Sequence, residues 1–309
     1  MSETPSELLK SWIFRQLPDA SAEWFCDRLD KLEADPQKQS FDITFGMIPR
    51  KLGKDDLQLS ADDLAAANAV RDGWNPTGWS IDAAARILIL TDISTDNGVS
   101  FAKRFKDLHR TADLGELIAL YSGLPIYASP EALVEQAALG LRTNIKAEFE
   151  AISHRNPFPM EQFEENPWNN MVLKSLFIGV MLEPIQGLDE RANPELARIL
   201  RDYAHERWAA DRFVSPELWR CIGPFAKDEY LDDFQKVVDE GNETEKKGVA
   251  LALASAPAST KKDSLTAQLS QFSAAIQSGE LTWTAIADEM FDNSLAITRK
   301  MNTEVELTR

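Results

Sequence analysis

The side chains best suited to binding or chemistry are concentrated between Arg142 and Arg220. One predicted helix carries Arg198, Asp202 and His205 at i, i+4 and i+7, so the three share a face. Guanidinium groups suit carboxylate and phosphate ligands. The sequence therefore predicts a ligand- or partner-binding face, although surface ion pairs explain the same residues equally well. The predicted face comprises Arg142, Asn170, Lys174, Arg198, Asp202, His205 and Arg212.

A metal site is the main alternative. Glu150 and His154 are spaced i, i+4, and Asp202 and His205 are spaced i, i+3, so each pair shares one helix face. Two helices that each offer a carboxylate and an imidazole can bind a metal ion, as in di-iron proteins, which also need two further glutamates. A metal-dependent enzyme that uses these four residues is therefore kept as the alternative function, and ion pairing with nearby arginines as the simpler explanation.

Other catalytic motifs are missing from the sequence. There is no Gly-x-Ser-x-Gly motif and no Cys-x-x-Cys motif. The only approach to a phosphate-binding loop has six residues between Gly46 and Gly53 instead of four, and Asp55 follows Lys54 where a hydroxyl is needed. We therefore favour a protein without catalytic activity and expect no cofactor.

The two cysteines, Cys26 and Cys221, lie in strongly helical surroundings. We predict that both are small buried hydrophobic residues in a reducing compartment. A disulfide between them, or a reactive thiol, is the alternative.

Charge and hydropathy limit the possible partners. The chain has 33 Lys and Arg against 50 Asp and Glu, for a net charge of −17. Such a protein repels phosphate backbones, which argues against binding nucleic acid and against docking on anionic lipid by charge alone. No apolar run is long enough for a transmembrane helix, and the first residues do not resemble a secretory signal. We expect a cytoplasmic protein.

Helix-start signals and apolar spacing predict an all-α fold. A polar cap precedes proline five times, at Thr4-Pro5, Ser129-Pro130, Asn166-Pro167, Asn193-Pro194 and Ser215-Pro216. Apolar residues recur at helical spacing, as in Leu265, Leu269, Phe272 and Ile276. Only residues 87–90 resemble a buried strand, and the alanines before them favour a helix.

The predicted arrangement of the helices is based on one pair of neighbouring helices. Residues 228–256 indicate two short antiparallel helices joined at Gly241-Asn242, which is typical of one HEAT-type unit. We predict an irregular stack of helical hairpins, a HEAT-like α-solenoid, with a compact helical bundle as the second choice. The expected regions are an N-terminal helical region (1–123), a helical core (124–258) and C-terminal helices (259–309).

The segment Leu141–Phe225 resembles the EboA family. The likeness rests on RTNIKAEFEAISHRNPFP, on NPWNNMVLKSLFIG and on GLDERANPELARILRDYAHERWAADRFVSPELWRCIGPF. Weaker similarity extends upstream, through FDITFGMIPRKLGKDDLQL and GWNPTGWSIDAAARILIL, and downstream into the alanine-rich segment 243–256. The residues Val180-Met181-Leu182-Glu183 depart from the small-residue and proline turn expected there.

The resemblance implies a cytosolic helical protein to which no catalytic residue can be assigned. Such proteins are encoded in bacterial clusters beside a prenyltransferase-like membrane protein, a metal-dependent hydrolase-like protein and sugar-phosphate cyclase-like enzymes. We therefore predict a non-catalytic scaffold or binding protein of an ebo-type secondary-metabolite processing or export pathway. Its expected partners are an anionic metabolite or pathway proteins. Peripheral contact with the membrane prenyltransferase-like partner, through Trp283 and Phe291, is a further alternative.

Overall fold

The computed structural model describes residues 3–34, 38–94, 98–227 and 229–292, and these residues are predominantly helical. The described part contains no strand, only an isolated bridge between Asp56 and Ser80. The all-α prediction is confirmed. Short 3₁₀ helices connect several of the α-helices, and residues 283–292 are also helical. The α-helices are α1 (Pro5–Phe14), α2 (Asp19–Ala34), α3 (Lys38–Leu52), α4 (Ala61–Val70), α5 (Ile81–Ser94), α6 (Gly98–His109), α7 (Leu114–Ser122), α8 (Val134–Gly140), α9 (Lys146–Ser153), α10 (Phe158–Gln162), α11 (Glu165–Ile178), α12 (Pro194–Ala209), α13 (Leu218–Ile222), α14 (Glu229–Glu240), α15 (Glu243–Ser255), α16 (Thr260–Gln268) and α17 (Ser273–Ser278).

The predicted cap–proline pairs are confirmed at two of the five positions. Thr4 and Asn193 cap α1 and α12 through their side chains, each followed by proline in the first turn. At Ser129 a 3₁₀ helix does begin at Pro130, but Ser129 has a left-handed backbone (φ 55°) and its side chain forms no capping hydrogen bond. The prediction is wrong at Asn166, which lies inside α11, and at Ser215, because α13 begins only at Leu218.

The chain divides into two units, Met1–Trp168 and Asn169–Arg309. The three regions expected from the sequence are a finer division and remain a prediction. The last of these regions extends through residues 293–309, which lie outside the described residues.

Helix α5 is the centre of the first unit. Every side chain from Ile81 to Thr91 is buried, because α1, α3 and α7 pack around this helix. The prediction of a helix at residues 87–90 is confirmed. A helix that is apolar on nearly all sides is expected only where neighbours cover it completely.

One charged side chain is buried within α5. Arg86 is 2% exposed, and its Nη1 donates to Asp82 at 2.8 Å, while its Nε donates to the Phe45 carbonyl at 3.2 Å. Glu116 lies 3.8 Å from the same guanidinium. These acceptors offset the cost of removing the charge from water.

In the second unit α15 lies against the segment that precedes α13. A Cβ added at Gly248 would come within 2.8 Å of the Pro216 carbonyl oxygen, so only glycine permits this approach. Helices α14 and α15 are joined at Gly241-Asn242, as predicted, and Asn242 forms a capping box with Glu245. The solenoid arrangement remains a prediction.

The two cysteines are free and have different environments. Burial raises the pKa of Cys221 to about 12, which keeps the thiol protonated at neutral pH. The prediction that Cys26 is buried is wrong. The buried residues of α2 are Phe25 and Leu32, and Cys26, one position after Phe25, points about 100° away from that stripe.

Candidate functional site

A groove in the second unit is lined by one face of α11 and one face of α12. The residues from α11 are spaced i, i+3, i+4 and i+7, and those from α12 are spaced i, i+3 and i+4, which puts each set on one side of its helix. We call this cavity the α11–α12 groove; its volume is about 320 Å³. Its lining residues are Asn170, Leu173, Lys174, Phe177, Tyr203, Glu206, Arg207 and Arg212.

Two sets of hydrogen bonds hold the helices that line the groove. Asn169 and Asn193 exchange side-chain amide bonds of 2.9 and 3.2 Å, so the residue that caps α12 is tied to α11. Further along, the Tyr203 hydroxyl donates to the Leu176 carbonyl at 3.3 Å. The two helices that bound the groove are thus joined near both ends of α11.

The turn after α12 brings two more side chains to this region. Asp211 has a left-handed backbone (φ 52°), which aspartate tolerates better than most residues, and the Arg212 N–H donates to the Arg207 carbonyl at 2.9 Å. The Arg207 Nε in turn donates to the Phe213 carbonyl at 2.9 Å. Arg207 therefore fixes the turn that carries Arg212 and Phe213.

The groove is cationic although the protein is acidic. Lys174, Arg207 and Arg212 line it together with a single carboxylate, Glu206. Among the described residues Arg212 forms no ion pair with an acid. The remaining surface is largely apolar, and Phe177 is 72% exposed. A concave site with an apolar floor and a few convergent charges is typical of small-molecule binding, and its volume falls at the lower end of the usual range.

A second cavity adjoins the groove and shares Phe177, Tyr203 and Arg207 with it. We call it the distal hollow; its volume is about 350 Å³. Its other lining residues are mainly apolar and include Ile178, Val180, Met181, Phe213 and Met290, with Ser215 and Glu217 as polar members. The exposed face of Phe213, at 53%, borders this cavity.

The backbone between α11 and α12 is held by Glu217. Gly179 ends α11 with a left-handed backbone (φ 70°), and the Val180 N–H returns to the Ser175 carbonyl at 2.8 Å. The carboxylate of Glu217, itself only 2% exposed, accepts from the Leu182 N–H at 3.0 Å and from the Glu183 N–H at 2.7 Å. Burial raises the pKa of Glu217, an effect that these two N–H donors oppose.

The exposed side of α12 has a different character. Arg198 donates two hydrogen bonds to Glu195, at 2.7 and 2.9 Å, and one to Asp202 at 2.7 Å. All three side chains are at least half exposed. None of them lines the α11–α12 groove, so of the predicted binding face this structure brings together Asn170, Lys174 and Arg212 but not Arg198 and Asp202.

His205 lies on the same side of α12 as Arg198, two turns further along, where its side chain reaches α14. Its Nε2 is 2.7 Å from Oδ1 of Asp233, and Arg201 Nε donates to the other oxygen of the same carboxylate at 2.5 Å. Asp233 is buried, with 7% of its surface exposed. Here Arg201 and His205 link α12 to α14, and His205 does not line the groove.

A comparison with known families now identifies the chain at the family level. Residues 5–223 match the family model described as "Metabolite traffic protein EboA", which is more than half of the sequence. The chain belongs to the EboA family. All the residues of the α11–α12 groove fall inside the matched range, whereas Asp233 and Met290 lie beyond it.

Other comparisons add no further relative of this EboA-family protein. No curated protein and no solved structure matches it significantly. Within the described ranges, no helix combines the length and the apolar character needed to cross a bilayer.

The residues predicted as metal ligands lie in different units of the EboA-family chain. Glu150 and His154 are in the first unit, where His154 ends α9 and its N–H donates to the Glu150 carbonyl at 2.8 Å. Asp202 and His205 are in the second unit with the partners given above. In the part of the chain that the structure describes, no three His, Cys, Asp or Glu side chains lie close enough to bind one metal ion. Arg142, the remaining member of the predicted binding face, also lies in the first unit.

Sequence reasoning missed Tyr203, Arg207 and Phe177 as lining residues of one cavity. A usable signal was present, because Phe177 continues the Asn170 and Lys174 face of α11 by one turn. For Arg207 the sequence suggested only ion pairing, and its hydrogen bond to the Phe213 carbonyl depends on the turn at Asp211.

Proposed function

We propose that this EboA-family protein is a non-catalytic binding protein that holds an anionic metabolite in the α11–α12 groove. The observation that carries the proposal is the presence of Lys174, Arg207 and Arg212 around one apolar floor in a chain of net charge −17. A net charge of −17 disfavours an anion over much of such a surface, so a local cationic cavity provides selectivity as well as affinity.

The chemistry of the lining residues supports binding over catalysis. Of the residues that the structure describes, no histidine, cysteine or serine lines the groove, and these are the groups that most often act as nucleophile or general base at neutral pH. Its charged groups are suited to orienting an acid by charge-assisted hydrogen bonds. The family description, metabolite traffic, is compatible with this role. A cytoplasmic location and contact with other proteins of the pathway belong to the same proposal.

An NMR titration with phenyl phosphate and with benzoate tests the proposal. Both probes are small enough to occupy the α11–α12 groove alone. The Arg212→Gln variant removes an exposed cation without touching the core, and we expect it to weaken phenyl phosphate binding about tenfold, the effect of losing one charge-assisted hydrogen bond. Lys174→Gln should weaken binding in the same direction.

Arg198→Gln is the matched control. It removes another exposed arginine near the same helix, but one that pairs with Glu195 and Asp202 outside the groove. Equal weakening by Arg198→Gln and Arg212→Gln would show a non-specific effect of net charge and contradict the proposal. So would the absence of any chemical-shift change at groove residues in the unmodified protein.

A further inference from the structure

The two cavities adjoin each other along α11, and together we call them the channel. Phe177, Tyr203 and Arg207 line both cavities and therefore lie where the two meet. The residues of α11 that line the two cavities run from Asn170 to Ile178, and eight helical steps correspond to roughly 12 Å. This length is well beyond what an inorganic anion or a single ring would fill.

The two ends of the channel differ in polarity. Lys174 and Arg212 line only the α11–α12 groove, and Arg207 lies where the two cavities meet. Among the described residues, the distal hollow contributes no further cation, and its one acid, Glu217, is bonded to two backbone N–H groups. An acidic group is therefore attracted to the groove end, where the cations lie, and not to the distal end.

Exposed aromatic residues line the channel itself. Phe177 and Phe213 are 72% and 53% exposed, and leaving such large apolar surfaces in water is unfavourable. Exposed apolar side chains that converge on a cavity indicate an apolar ligand more strongly than isolated ones do.

We infer that the channel binds an amphipathic anion, with its acidic head at Arg207 and Arg212 and its apolar body crossing Phe177 into the distal hollow. This inference rests on the proposed function and narrows its ligand to one chemical class. Chain-like carboxylates of about eight to ten carbons fit the channel, because an extended chain of that size spans most of its roughly 12 Å. The concave shape and the net charge of −17 favour a single soluble molecule over an anionic lipid surface.

Calorimetric titration of the full chain with butanoate, hexanoate, octanoate and decanoate tests the inference. We expect affinity to rise about threefold to fourfold for each methylene that enters the distal hollow. 1-Octanol, which has the same apolar body without the charge, should bind at least tenfold more weakly than octanoate.

Phe213→Ser and Phe291→Ser are a matched pair of variants. Both phenylalanines are 53% exposed, so neither substitution opens the core, but only Phe213 lines the channel. Phe213→Ser should reduce the increase in affinity from hexanoate to decanoate several-fold. Phe291→Ser should leave that increase unchanged. Phe177→Ser, at the junction, should act like Phe213→Ser.

The possible results separate the two proposals. If all four carboxylates bind with equal affinity and Arg212→Gln weakens the binding of each, the proposed anion site is supported. The proposal of an amphipathic ligand is then overturned. A dependence on chain length that neither Phe177→Ser nor Phe213→Ser alters also overturns it, because the chain is then bound elsewhere. If no carboxylate and no phenyl phosphate binds, or if the protein associates only with phosphatidylglycerol vesicles, both proposals fail.

Discussion

Helix α12 and the turn that follows it present arginines to two environments. The two differ in whether an acidic side chain is close enough to pair with the arginine. On the exposed side Arg198 is held by Glu195 and Asp202, both on the same helix and within one turn. On the groove side Arg207 bonds a backbone carbonyl, and Arg212 has no acidic partner among the described residues. The same residue type is thus locally neutralised on one side and remains able to attract an anion on the other.

A third group of arginines pairs with buried carboxylates. Arg86 in α5 and Arg201 in α12 both reach carboxylates that are removed from solvent, Asp82 and Asp233. In these positions a cation contributes to stability and not to ligand binding, because breaking such a pair leaves an uncompensated buried charge. Substitutions at Arg86, Asp233 and Arg198 distinguish these classes.

Arg86→Met should have the largest effect. It leaves Asp82 buried without its cation, and we expect the free energy of unfolding to fall by about 3–5 kcal/mol, measured by urea denaturation. The double variant Arg86→Met with Asp82→Leu removes both charges and should recover a large part of the loss. A double variant that is less stable than the single one would contradict this view of the buried cluster.

Asp233→Asn should have the next largest effect. The substitution keeps the shape of the side chain but removes the charge that Arg201 and His205 share, and we expect a loss of about 2 kcal/mol in the free energy of unfolding. Asp202→Asn is the control, since Asp202 pairs with Arg198 in solvent and should change stability little. Similar losses in the two variants would show that burial is not what separates the two aspartates.

Glu217 predicts a pH dependence. Its pKa is raised in the folded protein, so the folded state holds this proton more tightly than the unfolded state does. The contribution of Glu217 to stability is therefore fully present below the ordinary value of 4.5 and is lost as the pH rises through the folded pKa. Relative to Glu217→Gln, the unmodified protein should become less stable as the pH rises above 4.5, as followed by denaturation at several pH values. If the unmodified protein instead became more stable relative to Glu217→Gln as the pH rises, the raised pKa of Glu217 would be contradicted.

Arg198→Gln should have the smallest effect. The side chain is exposed and its ion pairs are local, so we expect no measurable change in the denaturation midpoint or in anion binding. A clear loss of phenyl phosphate binding in this variant would move the proposed site to the exposed side of α12 and remove the distinction between the two sides.

Local patterns were enough to predict many of the helices. The pairs Thr4-Pro5 and Asn193-Pro194 mark two helix starts, because a cap and a following proline act within a single turn. The predicted helix start at Ser215 was wrong because contacts from outside that turn determine the structure there. The path of the chain there depends on the close approach of Gly248 and on the carboxylate of Glu217, both remote or buried contacts.

The candidate site was accessible to sequence reasoning only as separate faces. Asn170 and Lys174 share a face of α11 by spacing alone, and both line the groove. Spacing also grouped Arg198, Asp202 and His205, which point into different surroundings in the folded unit. Sequence separation gives the angle between two side chains on one helix, but it does not show which neighbouring helix each one meets.

The amino-acid sequence by itself determined the helical class, several helix starts and the acidity that makes a cationic cavity unusual here, because these depend on composition and on contacts within a few residues. Tertiary packing decided which cations meet a carboxylate and which line the channel. That outcome depends on side chains brought together from distant parts of the chain, since a charge is neutralised by the nearest acid in space and not by the nearest acid in sequence.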